Sequence, residues 1–154
     1  MEYKGLIKGK GIKIAIIVPR FNSRVTGILK EGAIDCLRRH EVKEEDIDIY
    51  WVPGAFELPM LLSRIVNIKK YDGFLVLGAL IRGDTPHFDH LATETTKGIA
   101  KISLEIKKPV GYGVITADTE EQALTRAGLK AGNKGWEAAL TTLEMINLYK
   151  DIEK

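Results

Sequence analysis

Short apolar runs alternate along the chain with longer stretches in which apolar residues recur every three or four positions. The runs are Ile12 to Val18, Ile47 to Val52, Gly73 to Leu80 and Val110 to Thr116. Within them, Ile14-Ala-Ile-Ile-Val18 and Phe74-Leu-Val-Leu77 are apolar at successive positions. That is the pattern of strands covered on both faces of a parallel sheet. A helix-like stretch follows each run, so the sequence predicts an α/β fold, a three-layer α/β/α sandwich around a four-stranded parallel sheet.

The first helix carries Val25, Ile28, Leu29, Gly32, Ala33, Cys36, Leu37 and His40 along one face. Ser23 is the expected cap, and Arg38 and Arg39 suit the carbonyl end. A second helix is expected from near Phe56 to Ile68, and a third from Pro86 to about Lys107, stopped by Pro109. Thr93 to Lys97 make the third helix unusually polar, which fits either solvent exposure or a subunit contact. Thr119-Glu-Glu-Gln122 matches a capping box, and Gly128 is placed to close the helix that follows. A last helix begins near Asn133, with Trp136, Ala139, Leu140, Leu143 and Ile146 as its apolar face and a fraying tail from Lys150 to Lys154. Residues 1 to 10 have no place in this layout. They fit either a loosely ordered terminus or a strand lent to the sheet edge of another subunit.

Composition narrows the picture. With 154 residues, 45% of them hydrophobic, the chain suits one domain spanning 1–154. Lys and Arg number 23 against 21 Asp and Glu, so neither nucleic acid nor an anionic membrane is an expected partner. Cys36 stands alone, which excludes an internal disulfide, and no Cys/His cluster offers a zinc site. The first residues lack a signal-peptide pattern and no run reaches the roughly 20 apolar residues of a membrane span, so the expected compartment is the cytoplasm.

In an open α/β sheet, ligands bind beyond the carboxyl ends of the strands. Four segments leave those ends: Pro19 to Ser23, Pro53 to Pro59, Gly78 to Asp89, and Thr116 to Thr119 leading on to Arg126. Phe21 suits stacking on a planar heterocycle, with Asn22 offering amide hydrogen bonds, although a phenylalanine stapled to the core edge is the plainer alternative. After the Pro53-Gly54 turn, the N–H groups of Ala55 and Phe56 and the carboxylate of Glu57 suit a polar ligand; Glu57 equally suits the helix dipole alone. Thr85 fits an N-cap and Pro86 the first helical position, which sets His87 in the first turn beside unpaired N–H groups. His87 and His90 are spaced for one helix face but lack a third ligand, so a general acid/base role for His87 is favoured over a metal. Arg126 and Lys134 suit a phosphate clamp, against plain helix-end and surface charge. The Arg82-Gly83-Asp84 triplet is taken as coincidental.

Together these segments resemble the 6,7-dimethyl-8-ribityllumazine synthase family of riboflavin biosynthesis. The resemblance rests on Arg20-Phe-Asn22, Val52-Pro-Gly-Ala-Phe-Glu-Leu-Pro59, Gly78 through Asp89, Gly113-Val-Ile-Thr116, Thr119-Glu-Glu-Gln-Ala123, Arg126-Ala-Gly128 and Gly132-Asn-Lys-Gly-Trp-Glu-Ala-Ala139, in that order. It implies a flavodoxin-like sandwich and a cofactor-free, metal-free transferase. The implied reaction condenses 5-amino-6-ribitylaminopyrimidinedione with 3,4-dihydroxy-2-butanone 4-phosphate and releases phosphate and water. By the same resemblance Phe21 stacks on the pyrimidine, while Ala55, Phe56, Glu57, Ala79, Leu80 and Ile81 hold its ring and ribityl chain. Asp84 and Thr85 receive the butanone phosphate, His87 carries protons, and Arg126 with Lys134 clamps the phosphate. A phosphate dianion beside an imidazole favours its protonated form and leaves a base on departing.

The family's site is shared between subunits, and Tyr112 matches the aromatic residue that the neighbouring chain lays over the ring, where many members have phenylalanine. Its hydroxyl needs a partner. The carboxylate of Asp84 repels phosphate unless it turns away. The resemblance further implies a homo-oligomer, either a pentamer or a 60-subunit shell; the short Gly128 to Gly135 connection favours the shell. Riboflavin synthase is a further partner that the resemblance brings in. The alternatives are an archaeal-type riboflavin synthase and a non-catalytic flavin-binding or shell protein.

Overall fold

The computed structural model describes residues 1–68, 71–129 and 132–154. Strands β1 (Ile14–Pro19), β2 (Ile47–Val52), β3 (Gly73–Ile81) and β4 (Val110–Ala117) form one parallel sheet in the order β2-β1-β3-β4. Ile14 lies opposite both Ile47 and Gly73, and Phe74 lies opposite Val110. Every residue of β1 is buried, and its side chains alternate between two cores. Ile14, Ile16 and Val18 join the layer of α1 (Ser23–Arg39) and α5 (Lys134–Ile152), while Ala15 and Ile17 join that of α2 (Glu57–Ile68) and α3 (His87–Glu105). Cover on both faces is why the strand shows no polar alternation. Each isoleucine so buried contributes on the order of 1.5–3 kcal/mol.

The helix starts refine the expectations. Asn22, not Ser23, precedes α1; it sits in the left-handed region at φ 60°, which asparagine tolerates, and its carbonyl accepts the N–H groups of Val25 and Thr26 at 3.0 Å. Its side chain gives no cap because Nδ2 donates to the Ala79 carbonyl at 2.9 Å. The buried stripe of α1 runs through Val25, Leu29, Ala33, Cys36 and Leu37 as expected, but Ile28 stays partly exposed and Thr26 is buried, its hydroxyl donating to the Pro19 carbonyl. At α3 the start lies one residue later than expected. Pro86 holds the cap position, and the Thr85 hydroxyl accepts the His87 N–H at a long 3.4 Å.

Thr119 caps α4 (Glu120–Leu124) by accepting the Gln122 N–H, and Gln122 Oε1 in return accepts the N–H of Asp118, one residue before the usual capping-box partner. The helix widens into a π-type turn over Thr125–Leu129 and closes at Gly128, whose φ of 116° suits glycine. Asn133 caps α5 through the Trp136 N–H at 3.0 Å. The tail expected to fray is helical to Ile152, with Lys154 Nζ held 2.9 Å from Asp151. Residues 130 and 131 of the Gly128 to Gly135 connection lie outside the described residues.

Residues 1 to 10 form no strand and run beside α5, where Asn147 Nδ2 donates to the carbonyls of Leu6 and Lys8 at 2.7 and 2.9 Å. Tyr3 and Leu6 remain exposed. Among the described residues no helix is long and apolar enough to cross a membrane.

The α1–α5 contact is close enough to demand glycine: a Cβ at Gly135 would lie 2.1 Å from the Leu29 carbonyl oxygen. Gly135→Ala is therefore expected to cost about 1–3 kcal/mol in chemical unfolding, with the two helices forced apart. Burial, reinforced by Asp35, pushes the Cys36 thiol up to about 11. A disulfide reagent at neutral pH is accordingly expected to leave Cys36 untouched in the native protein and to titrate it fully after denaturation.

Candidate active site

The strand order reverses between β1 and β3, since the chain passes from β1 outward to β2 and then returns to the other side of β1. Such a switch opens a crevice at the carboxyl ends of the strands. The Asn22 amide bridges it by bonding to Ala79 at the end of β3. On the other side the N–H groups of Arg20 and Phe21 bond to the carbonyls of Val52 and Pro53, fixing the exits of β1 and β2 to each other. A cleft of about 540 Å³ lies here, lined by Phe21, Asn22, residues 53–57 and 79–81, Gly83, Thr85, His87, Phe88 and Leu91.

Phe21 is 72% exposed, so it is not the core-edge residue that its type allowed. Its ring stands free at the cleft, available for stacking. Glu57 begins α2, and its Oε2 accepts the Gly54 N–H at 3.0 Å. One carboxylate oxygen thus braces the loop and the other is left for the cleft, so the helix-dipole and ligand readings are compatible. Ala79, Leu80 and Ile81 form the end of β3. They line the crevice beside Ala55 and Phe56.

His87 opens α3 and lines the cleft, with Phe88 and Leu91 supplying apolar wall on the opening turns of the same helix. His90 does not line it. Among the described residues no three His, Cys, Asp or Glu side chains group closely enough to hold a metal ion. An exposed imidazole at a helix start beside a largely apolar cleft can exchange protons with a ligand without further help.

Other candidates lie elsewhere in the single chain. Asp84 is exposed and does not line the cleft, although its neighbours Gly83 and Thr85 do. Tyr112 projects from β4, 37% exposed, and its hydroxyl is hydrogen-bonded to that of Thr96 at 2.9 Å. That bond supplies the partner its polar group needs and leaves the ring accessible. Arg126 and Lys134 line a second cleft of about 380 Å³ against Val114, Ile115 and Thr116 of β4. Among the described residues the Arg126 guanidinium is anchored by one bond, NH1 to the Thr116 carbonyl at 2.8 Å, and its other donors can meet an anion. Lys134 Nζ stands 3.8 Å from Glu137.

Sequence reasoning missed Phe88 and Leu91 as cleft residues and the bracing of Gly54 by Glu57. The signals were present: the first two follow His87 on the opening turns of one helix, and Gly-x-x-Glu has the spacing of a capping interaction.

The chain as a whole has recognisable relatives. The profile described as 6,7-dimethyl-8-ribityllumazine synthase matches residues 11–150. A protein of Kosmotoga olearia named 6,7-dimethyl-8-ribityllumazine synthase is 56% identical over 151 residues, covering 98% of this chain and 97% of its own. With nearly the whole length matched and the cleft built at the sheet's switch point, the chain belongs to the 6,7-dimethyl-8-ribityllumazine synthase family, a transferase of riboflavin biosynthesis.

Proposed function

We propose that the 540 Å³ cleft is where the ribitylaminopyrimidinedione and the butanone phosphate condense, and that a second copy of the chain completes it with Tyr112, Arg126 and Lys134. The observation that carries this reading is the division of labour between two clefts. Among the described residues, one is lined by an aromatic ring, backbone groups, a carboxylate and an imidazole but no cation; the other is lined by Arg126 and Lys134 beside β4. A reaction that holds a heterocycle while expelling phosphate needs both sets.

In this reading Phe21 stacks on the pyrimidine, and the free Glu57 oxygen, Asn22 and the backbone of Ala55, Phe56 and residues 79–81 address its polar groups. The amine of the pyrimidinedione attacks the butanone carbonyl, water leaves to give an imine, phosphate is eliminated, and the second amine closes the ring with loss of water. His87 passes protons at these steps. Thr85 and the backbone beside Asp84 meet the phosphate, and the partner's Arg126 and Lys134 positions neutralise it. Tyr112 of the second copy covers the face of the ring away from Phe21.

The assembly is read as a ring of five, with twelve rings closing into a 60-subunit shell, and riboflavin synthase as a partner of that shell. Exposed Tyr3 and Leu6, together with exposed Ile49 and Trp51 on the edge strand β2, support residues 1–10 as the segment exchanged between neighbours. The exposed polar face of α3 fits a contact between copies in the same way. A reducing cytoplasm suits the single unpaired Cys36.

His87→Ala is expected to lower kcat by about 10²–10⁴-fold with little change in KM for either substrate. Arg126→Ala is expected to raise KM for the butanone phosphate by about tenfold or more and to leave that for the pyrimidine alone. Both are read by following lumazine absorbance without added cofactor or metal; an Arg126→Ala enzyme with unchanged KM for the phosphate rules out the clamp.

A further inference from the structure

Arg82 follows the last residue of β3, and its side chain is engaged on three sides. Nε donates to Asp118 Oδ1 at 2.9 Å, NH1 donates to Asp89 Oδ2 at 3.2 Å, and the guanidinium carbon stands 4.6 Å from the centre of the Phe88 ring. Its backbone N–H bonds to the Ala117 carbonyl at 2.9 Å. Asp118 belongs to the connection after β4, while Phe88 and Asp89 belong to the first turn of α3. One planar cation therefore ties the turn that carries His87 to the loop beyond the neighbouring strand.

The other hydrogen bonds of that turn are local: the Thr85 hydroxyl to the His87 N–H at 3.4 Å, and the Pro86 carbonyl to the Asp89 N–H at 3.2 Å. The segment from Gly83 to Pro86 that leads into α3 forms no regular structure. As a source of stability the cluster is minor, because all three charged side chains are substantially exposed and such pairs contribute little. As a source of geometry it is not minor. A guanidinium shared by two carboxylates and a ring face fixes direction as well as distance, which a flexible ammonium cannot do.

We propose that Arg82 is a positioning residue for the condensation, holding the first turn of α3 so that the His87 imidazole meets the reacting atoms in the cleft. The inference rests on the reading of His87 as the proton carrier. It extends to the second cleft, since Asp118 lies two residues past Thr116, whose carbonyl anchors Arg126. A lateral slip of about 1 Å at the imidazole is enough to cost up to about a hundredfold in rate.

The test is steady-state kinetics on the assembled enzyme with both substrates. Arg82→Met, which keeps the apolar stem but loses the fork, is expected to lower kcat between about 10- and 100-fold while KM for the pyrimidine and the thermal midpoint hold. Arg82→Lys, with charge but no fork, should recover only part of the loss. Asp89→Ala should lose a similar factor, and the double variant should be no slower than the slower single one, because both changes release the same turn. Wild-type kcat in Arg82→Met, or losses that multiply in the double variant, overturns the proposal. Should Arg82→Met fail to assemble, Asp89→Ala decides, and unchanged kcat there overturns it. Wild-type enzyme and His87→Ala run alongside: an inactive wild type defeats the proposed function, and a fast His87→Ala defeats the role of His87. A fast Arg82→Met beside a slow His87→Ala defeats only the inference about Arg82.

Discussion

A parallel sheet buried on both faces constrains everything else in this chain. Its strands can be joined only by crossing helices, so all four carboxyl ends fall on one side and the loops leaving them converge. The order β2-β1-β3-β4 makes those loops part at β1 and β3, and the crevice between them becomes the cleft. The Asn22 bond to Ala79 spans that parting, and the bonds from Arg20 and Phe21 to Val52 and Pro53 secure its other side. Apolar burial of β1 and β3 thus does more than stabilise the domain: it sets the rigid frame from which Phe21, Glu57 and His87 project.

Much of this frame is legible in the sequence because two-sided burial leaves an unmistakable mark, unbroken apolar runs at Ile14 to Val18 and Phe74 to Leu77. Helix starts are less legible. Ser23 and Thr85 are good capping types, yet Asn22 and Pro86 hold the cap positions, and the Asn22 side chain is engaged by a tertiary bond to Ala79 that no local pattern reports. The tail of α5 shows the same limit. Its charges suggest fraying, but the helix runs to Ile152, and Lys154 just beyond it pairs with Asp151.

The candidate site divides along similar lines. Phe21, Asn22, Ala55 to Glu57, Ala79 to Ile81, Thr85 and His87 meet because they leave adjacent strands, a relation that βα alternation makes readable. Tyr112 lies on β4 and Arg126 and Lys134 follow it, and the single chain gathers these two cations in a separate cleft. No pattern within one sequence reports which surface of a second molecule will face which cleft. The Arg82-Gly83-Asp84 triplet is instructive in the same way. It carries no meaning as a motif, and the role argued for Arg82 depends on Asp118, which the fold brings close from 36 residues away.

The central claim is that chemistry and anion recognition reside in different copies of the chain, one giving His87 and the other Arg126. Subunit mixing addresses this directly. Chains bearing His87→Ala and chains bearing Arg126→Ala, each nearly inactive by itself at low phosphate substrate, are dissociated, mixed in equal amounts and reassembled. A site shared between copies predicts that random mixing restores both residues to about one quarter of the sites, and activity to about that fraction of wild type. A site contained within one chain leaves every subunit defective, and a reassembled mixture no more active than its parents would contradict the account.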